Sequence, residues 1–217
     1  MAAYAPRLYF DRMEPFHPAR VGISVLHDGE QSPSFRRVFA FADAAIDYVI
    51  EFAIYWDYDI QHLYELEHVW VYVGKDGSVA DAEASFHGKY LKALLPDRSN
   101  LEGKTVSVYS QPGKHAFSPL PILFELLPNV RSATDRDAGL DGLTLPGWYK
   151  ARSVYGEEEN ALVRAYQQAY HRFTPSFEYA AYEIAVRKEL FVPWKQLYEE
   201  IPERIERELT VIRAALA

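Results

Sequence analysis

The chain has 217 residues, 31 Asp and Glu against 23 Lys and Arg, a formal net charge of −8, and no cysteine. The acidic balance argues against a nucleic-acid backbone or an anionic membrane as principal partner. The missing thiols exclude disulfides, thiolate zinc sites and a cysteine nucleophile, so any metal must be held by His, Asp or Glu. An apolar share of 49%, with 16 Tyr, 12 Phe and 4 Trp, predicts a large aromatic core. "MAAYAPRLYF" has no basic stretch followed by an apolar run, and the most apolar window, Val38 to Trp56, carries Asp43, Asp47 and Glu51. Neither a secretory signal nor a membrane span is expected, and the expected location is the cytoplasm.

In chain order, "RLYF" (7–10) and "VGISVL" (21–26) read as short strands, and "RRVFAFA" (36–42) alternates as a strand does. Tyr48, Ile50, Phe52, Ile54, Trp56 and Tyr58 share one face of an extended segment, with Val49, Glu51, Ala53, Tyr55, Asp57 and Asp59 on the other. "EHVWVYV" and "SVADAEASFH" flank "GKDG", a strong hairpin signal. "TVSVYSQ" (105–111) is a further strand, and "LPILFELL" (120–127) is strand or short helix. The stretch 131–156 is rich in turn formers and reads as a loop-rich connection. Beyond it, Ala161, Leu162, Ala165, Tyr166, Ala169 and Phe173 recur at helical spacing. Thr174 and Pro175 suit a helix start, and a last helix from near Pro202 carries Ile205, Leu209, Ile212 and Leu216. The expected fold is therefore α+β: an antiparallel, jelly-roll-like β-sandwich (1–130) with a helical C-terminal extension (157–217) packed on the same domain.

The hairpin carries a geometric expectation. With Lys75, Asp76 and Gly77 as a three-residue loop and Gly77 in the left-handed region, Glu65 lies opposite His87 and Glu67 opposite Ser85, all on the face that continues as Val69, Val71 and Val73. A carboxylate at the rim of such a face needs a cation, a donor or a raised pKa. An imidazole or a divalent ion supplies the first, and carboxylate with imidazole is a suitable ligand set. A plain Glu–His contact or a solvated strand end satisfies the same pattern. Asp59 and His62 lie just upstream in "DYDIQH", and His115 follows a strand and a Pro-Gly turn in "SQPGKHAF". His68 has the opposite strand parity and is expected to pack rather than ligate. His17, His27 and His171 have no constellation around them.

These stretches resemble a known family. "YAPRLYFDRMEPFHP", "YELEHVWVYV", "ASFHGKY" and "VYSQPGKHAF" follow the order and approximate spacing of elements in the vacuolar protein sorting-associated protein 62-related family, over residues 4 to 117. Glu14, Phe16 and Pro18 stand at its acidic, aromatic and proline positions. The strand start also resembles the "GHRHDWE" signature of necrosis- and ethylene-inducing toxins, β-sandwiches that hold a divalent metal with Asp, His and Glu. Glu67 matches its final Glu, Glu65 its Asp and His62 its first His, whereas Leu66 stands for Trp and Tyr64 for the second His. The resemblance implies a divalent-metal site (Zn, Mn, Mg or Ca) of His62, Glu67, His87 and His115, with Asp59 and Glu65 as secondary candidates.

Walker-type, dinucleotide-fingerprint, HExxH and nucleophile-elbow motifs are absent. Three functions stay open at this level. One is a metal-dependent hydrolase, and another a non-catalytic module that captures a small polar ligand such as a headgroup or sugar. The third is a structural domain whose His/Glu cluster is a satisfied polar network.

Overall fold

The computed structural model describes residues 2–144 and 155–217. Among them, two sheets pack face to face. The first contains β1 (Arg7–Asp11), β7 (Leu101–Glu102), β8 (Thr105–Ser110), β9 (Phe117–Ser118) and β10 (Tyr179–Glu183). The second contains β2 (Arg20–Leu26), β3 (Ile46–Tyr58), β4 (Leu63–Gly74), β5 (Val79–Phe86), β6 (Lys89–Lys92) and β11 (Phe191–Pro193). The helices are α1 (Ile122–Glu125), α2 (Val130–Thr134), α3 (Glu157–Tyr170) and α4 (Trp194–Leu216). This is the expected α+β sandwich with C-terminal helices. Each sheet is mixed, because β1 pairs parallel with β8 and β11 parallel with β2. No helix among the described residues is long and apolar enough to cross a membrane.

The alternation in β3 explains the layering. Ile50, Phe52, Ile54 and Trp56 face the first sheet and join Leu8, Phe10, Val106 and Val108 in the main core. The opposite face is buried too, because two other elements cover its Val49 and Tyr55 and its Glu51 is satisfied by Ser32 and Trp70. α4 lays Leu197, Ile201, Ile205, Leu209 and Ile212 over Tyr55 and Leu63, and a strap of residues 29–41 lays Phe39 over Val49 and Trp70.

Four expectations need correction. "RRVFAFA" is no sheet strand: Phe39 N–H bonds Glu30 O, Ser32 N–H bonds Arg37 O and Gly29 N–H bonds Phe39 O, so the strap closes on itself. Thr174 starts no helix. The buried Asp11 carboxylate accepts from Ser176 N–H at 3.2 Å and Phe177 N–H at 2.6 Å, and the chain then pairs as β10 with the open edge of β1. The last helix begins at Trp194 and carries Pro202 inside it, because the apolar stripe already starts at Leu197. "LPILFELL" resolves as the short helix α1, followed by α2 inside the loop-rich connection, of which residues 145–154 lie outside the described residues.

The fourth correction concerns register. The Lys75-Asp76-Gly77 turn forms as expected, with Gly77 at φ 77° and its N–H bonded to Gly74 O at 2.8 Å. After Val73 pairs with Val79, however, an irregularity shifts every later partner by one, so that Trp70 rather than Val69 faces Glu83. The ladder ends at Val69 and Ala84, and Ser85 spans the gap with its side chain.

A glycine seats the helical layer. Gly142 has φ 57°, and a Cβ there would lie 1.9 Å from Asn160 Oδ1, which accepts Leu143 N–H at 2.9 Å. Gly142→Ala combines positive-φ strain with overpacking, and its expected cost is about 2–4 kcal/mol in urea unfolding. A loss below about 0.5 kcal/mol would show that α3 yields there freely.

Candidate metal centre

At the end of β3 the chain leaves the sheet through Asp59–His62 and re-enters as β4. Asp59 is fully buried; its Oδ1 accepts from Gln61 N–H at 2.7 Å and from Lys114 Nζ at 2.9 Å. Its Oδ2 is buried with no hydrogen-bond partner. His62 Nε2 lies 3.9 Å from Asp59 Oδ1 and 3.9 Å from Glu65 Oε2. Donor atoms of Asp59, His62 and Glu65 all fall within 4.8 Å of one another. Glu65 and Glu67 point inward because β4 places them opposite Trp56 and Ile54 of β3.

The six sequence candidates separate accordingly. His62 and the two secondary candidates, Asp59 and Glu65, form the triad. Glu67 is its neighbour and accepts a hydrogen bond from the Ser85 hydroxyl, while Ser85 Oγ accepts His68 N–H at 2.5 Å. His87 lies outside this group of donor atoms and sits at φ 49° with Nε2 2.7 Å from Gln111 Oε1. His115, fully buried at φ 59°, stacks on Trp56 with ring centroids 4.4 Å apart, and its Nε2 is 3.4 Å from Glu14 Oε1. Neither His115 nitrogen makes a hydrogen bond. Glu14 supports the same wall by accepting Gly113 N–H at 2.7 Å. His68 does pack, stacked on Trp70 on the far face of the sheet. Lys114 and the helical Gln167 escaped the sequence reading. Lys114 was signalled only by its place beside His115, and Gln167 by nothing.

Backbone strain gathers here. Tyr64, between His62 and Glu65, has φ 78°, and with His87 and His115 it makes three non-glycine residues in the left-handed region around one end of the sandwich. Each such residue costs of order 1–3 kcal/mol, a pattern that clusters at functional sites.

The electrostatics are those of a buried, largely acidic cluster. Burial pushes Glu65 up to about 8 against the pull of His62, with Asp59 and Glu67 adding repulsion. Burial pushes Glu67 up to about 7, although the Ser85 hydroxyl and the His87 backbone N–H favour its charged form. Burial also opposes ionisation of Asp59, but the charges of His62, Lys114 and His115 prevail and hold its carboxyl below the usual range. An oxygen–nitrogen–oxygen donor set fits a divalent ion. Ligand atoms at about 2.0–2.2 Å from zinc lie roughly 3.0–3.5 Å apart, so the triad must contract slightly around a small ion. Calcium, at about 2.3–2.6 Å, needs less contraction but suits imidazole poorly.

No protein-family model and no curated protein matches this chain. Among solved structures it is similar to necrosis and ethylene inducing protein 2 from the causal agent of cocoa's witches' broom disease. The two are 19% identical at a TM-score of 0.37, over 54% of this chain and 65% of that one, so this chain spans just under two thirds of that protein's length. It is also similar to a mutant of NLPPya, 17% identical at a TM-score of 0.35, over 70% of this chain and 87% of that one. Both belong to the second of the two resemblances seen in the sequence. The first, to the vacuolar protein sorting-associated protein 62-related family, finds no support in these comparisons. Likeness at this level carries nothing about the chemistry of this chain.

Proposed function

We propose that this protein binds one divalent cation, with zinc or manganese suiting the donors better than magnesium or calcium, through Asp59, His62 and Glu65. The observation that carries the reading is the convergence of three donor atoms within 4.8 Å, one of them on a carboxylate whose other oxygen is buried and unpartnered. Lys114 and Glu67 border the centre and would meet a small polar ligand there.

The test is metal uptake by protein purified without metal-affinity resin. Elemental analysis after dialysis against zinc or manganese should return close to one ion per chain. A ligand at a hundredfold excess over its dissociation constant stabilises by about 2.7 kcal/mol, which for a chain of this size raises Tm by about 5–11 °C. His62→Ala should remove the rise. His87→Ala should keep it, because that imidazole is spent on Gln111. The reverse result, loss with His87→Ala and retention with His62→Ala, would reassign the ligands.

A second reading, metal-assisted hydrolysis, is favoured by Glu67. Its carboxyl, raised to about 7, is matched to accepting a proton from water near neutral pH. If the protein is such a hydrolase, Glu67→Gln abolishes turnover of a nitrophenyl phosphate or acetate while leaving metal uptake intact. Wild-type protein inert on both esters would leave the non-catalytic cation site as the function.

A further inference from the structure

The triad is held by a helix far away in sequence. The loop Asp59–His62 has one isolated bridge, His62 with Gly142, so most of its backbone groups must be satisfied outside the sheets. Ile60 N–H bonds Gly113 O at 2.8 Å, Ile60 O accepts Gly139 N–H at 2.8 Å, and Gln61 O accepts Asp141 and Gly142 N–H, each at 3.0 Å. The other two carbonyls belong to ligand residues, and His62 O already accepts Asp59 N–H at 2.9 Å across the loop. Gln167 Nε2, from α3, donates to Asp59 O at 2.6 Å and to His62 O at 3.3 Å. Gln167 is fully buried, and its Oε1 lies 2.5 Å from His171 Nδ1. Two carbonyl acceptors settle the amide orientation, with the NH2 toward the loop and the oxygen toward His171, whose Nδ1 then carries the proton.

The turn 139–142 is clamped between this loop and α3. A Cβ at Gly139 would sit 2.7 Å from Arg164 O of α3, so the helix is seated at closest approach. A bound ion restrains Asp59 and His62, and a seated α3 restrains the same two residues through Gln167. Whatever orders the loop from one side lowers the entropic cost of ordering it from the other.

We infer that cation binding at Asp59, His62 and Glu65 and the docking of α3 are one coupled equilibrium, with Gln167 as the positioning residue that joins them. This rests on the cation site proposed above. It makes the C-terminal helical region a regulator of that site: anything that lifts α3 weakens metal binding, and metal seats α3.

The experiment is amide hydrogen exchange of the full chain with and without saturating Mn2+, alongside calorimetric titration with MnCl2. In wild-type protein, Mn2+ should slow exchange across Glu157–Tyr170 by roughly five- to a hundredfold. The edge strand Lys89–Lys92, remote from the loop, should be nearly unchanged, which separates coupling from global stabilisation. Gln167→Met keeps the side-chain volume and removes the donor. It should weaken Mn2+ binding by about 10–100-fold and remove the protection of α3, and in metal-free protein it should speed exchange at Gln61 and Leu63. The wild-type comparison needs no variant, so misfolding of Gln167→Met would not rescue the idea. Wild-type protein that binds Mn2+ with no change in α3 exchange, or Gln167→Met with unaltered affinity, overturns the coupling and leaves the cation site standing. Absence of any Mn2+ uptake by the wild type overturns both.

Discussion

In the presence of chelator at pH 8, Glu65→Gln is expected to be more stable than the wild-type protein, by on the order of 3–5 kcal/mol. The carboxyl is raised from its ordinary value of 4.5 to about 8, chiefly by burial and further by Asp59 and Glu67. One pKa unit corresponds to about 1.4 kcal/mol between the two states. The sign follows from proton counting. Between pH 4.5 and about 8 the folded state keeps a proton that the unfolded chain has released, so stability is greatest below 4.5 and falls as pH rises through that window. Glu67, raised to about 7, adds a fall of the same sign over a narrower range. Buried His68 and His171, lowered to about 3 and about 4, act with the opposite sign as pH falls below 6.5, so the Glu65 contribution is read as the difference between wild type and Glu65→Gln at pH 5 and pH 8.

Glutamine removes the charge but keeps an oxygen for the Leu66 N–H that Oε1 now accepts at 2.7 Å. The variant should lose the Glu65 contribution to the pH slope. It should also lose most of the metal-induced rise in Tm, since an anionic ligand is gone. For the same reason metal affinity in the wild type should weaken as pH drops below about 8, because an ion must displace the Glu65 proton. Melting curves of both proteins at pH 5 and pH 8, with EDTA and with zinc, contain every comparison. A metal-free Glu65→Gln that is less stable than wild type at pH 8 would mean that the carboxylate is already compensated, and the case for a missing cation would go with it.

Arg37→Ala should cost about 3–5 kcal/mol, the typical penalty for stranding one member of a buried ion pair. In Tm this is about 6–20 °C for a chain of this length. Arg37 Nη2 donates to Glu83 Oε2 at 2.7 Å and to Tyr72 Oη at 3.0 Å, with both charged side chains nearly enclosed at 8% and 11% exposure. Its guanidinium lies 4.4 Å from the Phe39 ring centre, 4.6 Å from Trp70 and 4.0 Å from Tyr90. Without it Glu83 keeps Tyr72 at 2.7 Å and the ammonium of the exposed Lys92 at 3.1 Å. The strap 29–41 would lose its anchor on the outer face of the second sheet. Replacing both partners, Arg37→Met with Glu83→Gln, should recover much of the loss, because no buried carboxylate then rests on one exposed ammonium alone. Urea titrations of the two variants decide the point. A single-variant loss under 1 kcal/mol would show that the strap is held by its aromatic residues.

What the linear sequence determined about this protein is what depends on neighbours along the chain. Period-two alternation from Tyr48 to Tyr58 specified β3, because successive side chains on a strand must face opposite ways. The Lys75-Asp76-Gly77 turn was legible because a left-handed residue there calls for glycine. The inward direction of Glu65 and Glu67 followed from parity with Val69 and Val71, and the acidic, thiol-free composition restricted any metal to oxygen and imidazole. Tertiary structure decided the rest. The irregularity between Tyr72 and Val73 is a one-residue matter that alternation in "SVADAEASFH" does not register, and it shifted the ladder by one, although Ser85 still reaches Glu67 through its side chain. Asp11 overrode a good helix start at Thr174, since a buried carboxylate and an open strand edge outweigh a local propensity. Asp59 rather than His87 or His115 completes the triad, because a loop has no periodicity from which its direction can be read. The Asp59 carboxylate is held by Gln61 N–H and Lys114, and the loop backbone by Gln167, more than a hundred residues further along the chain.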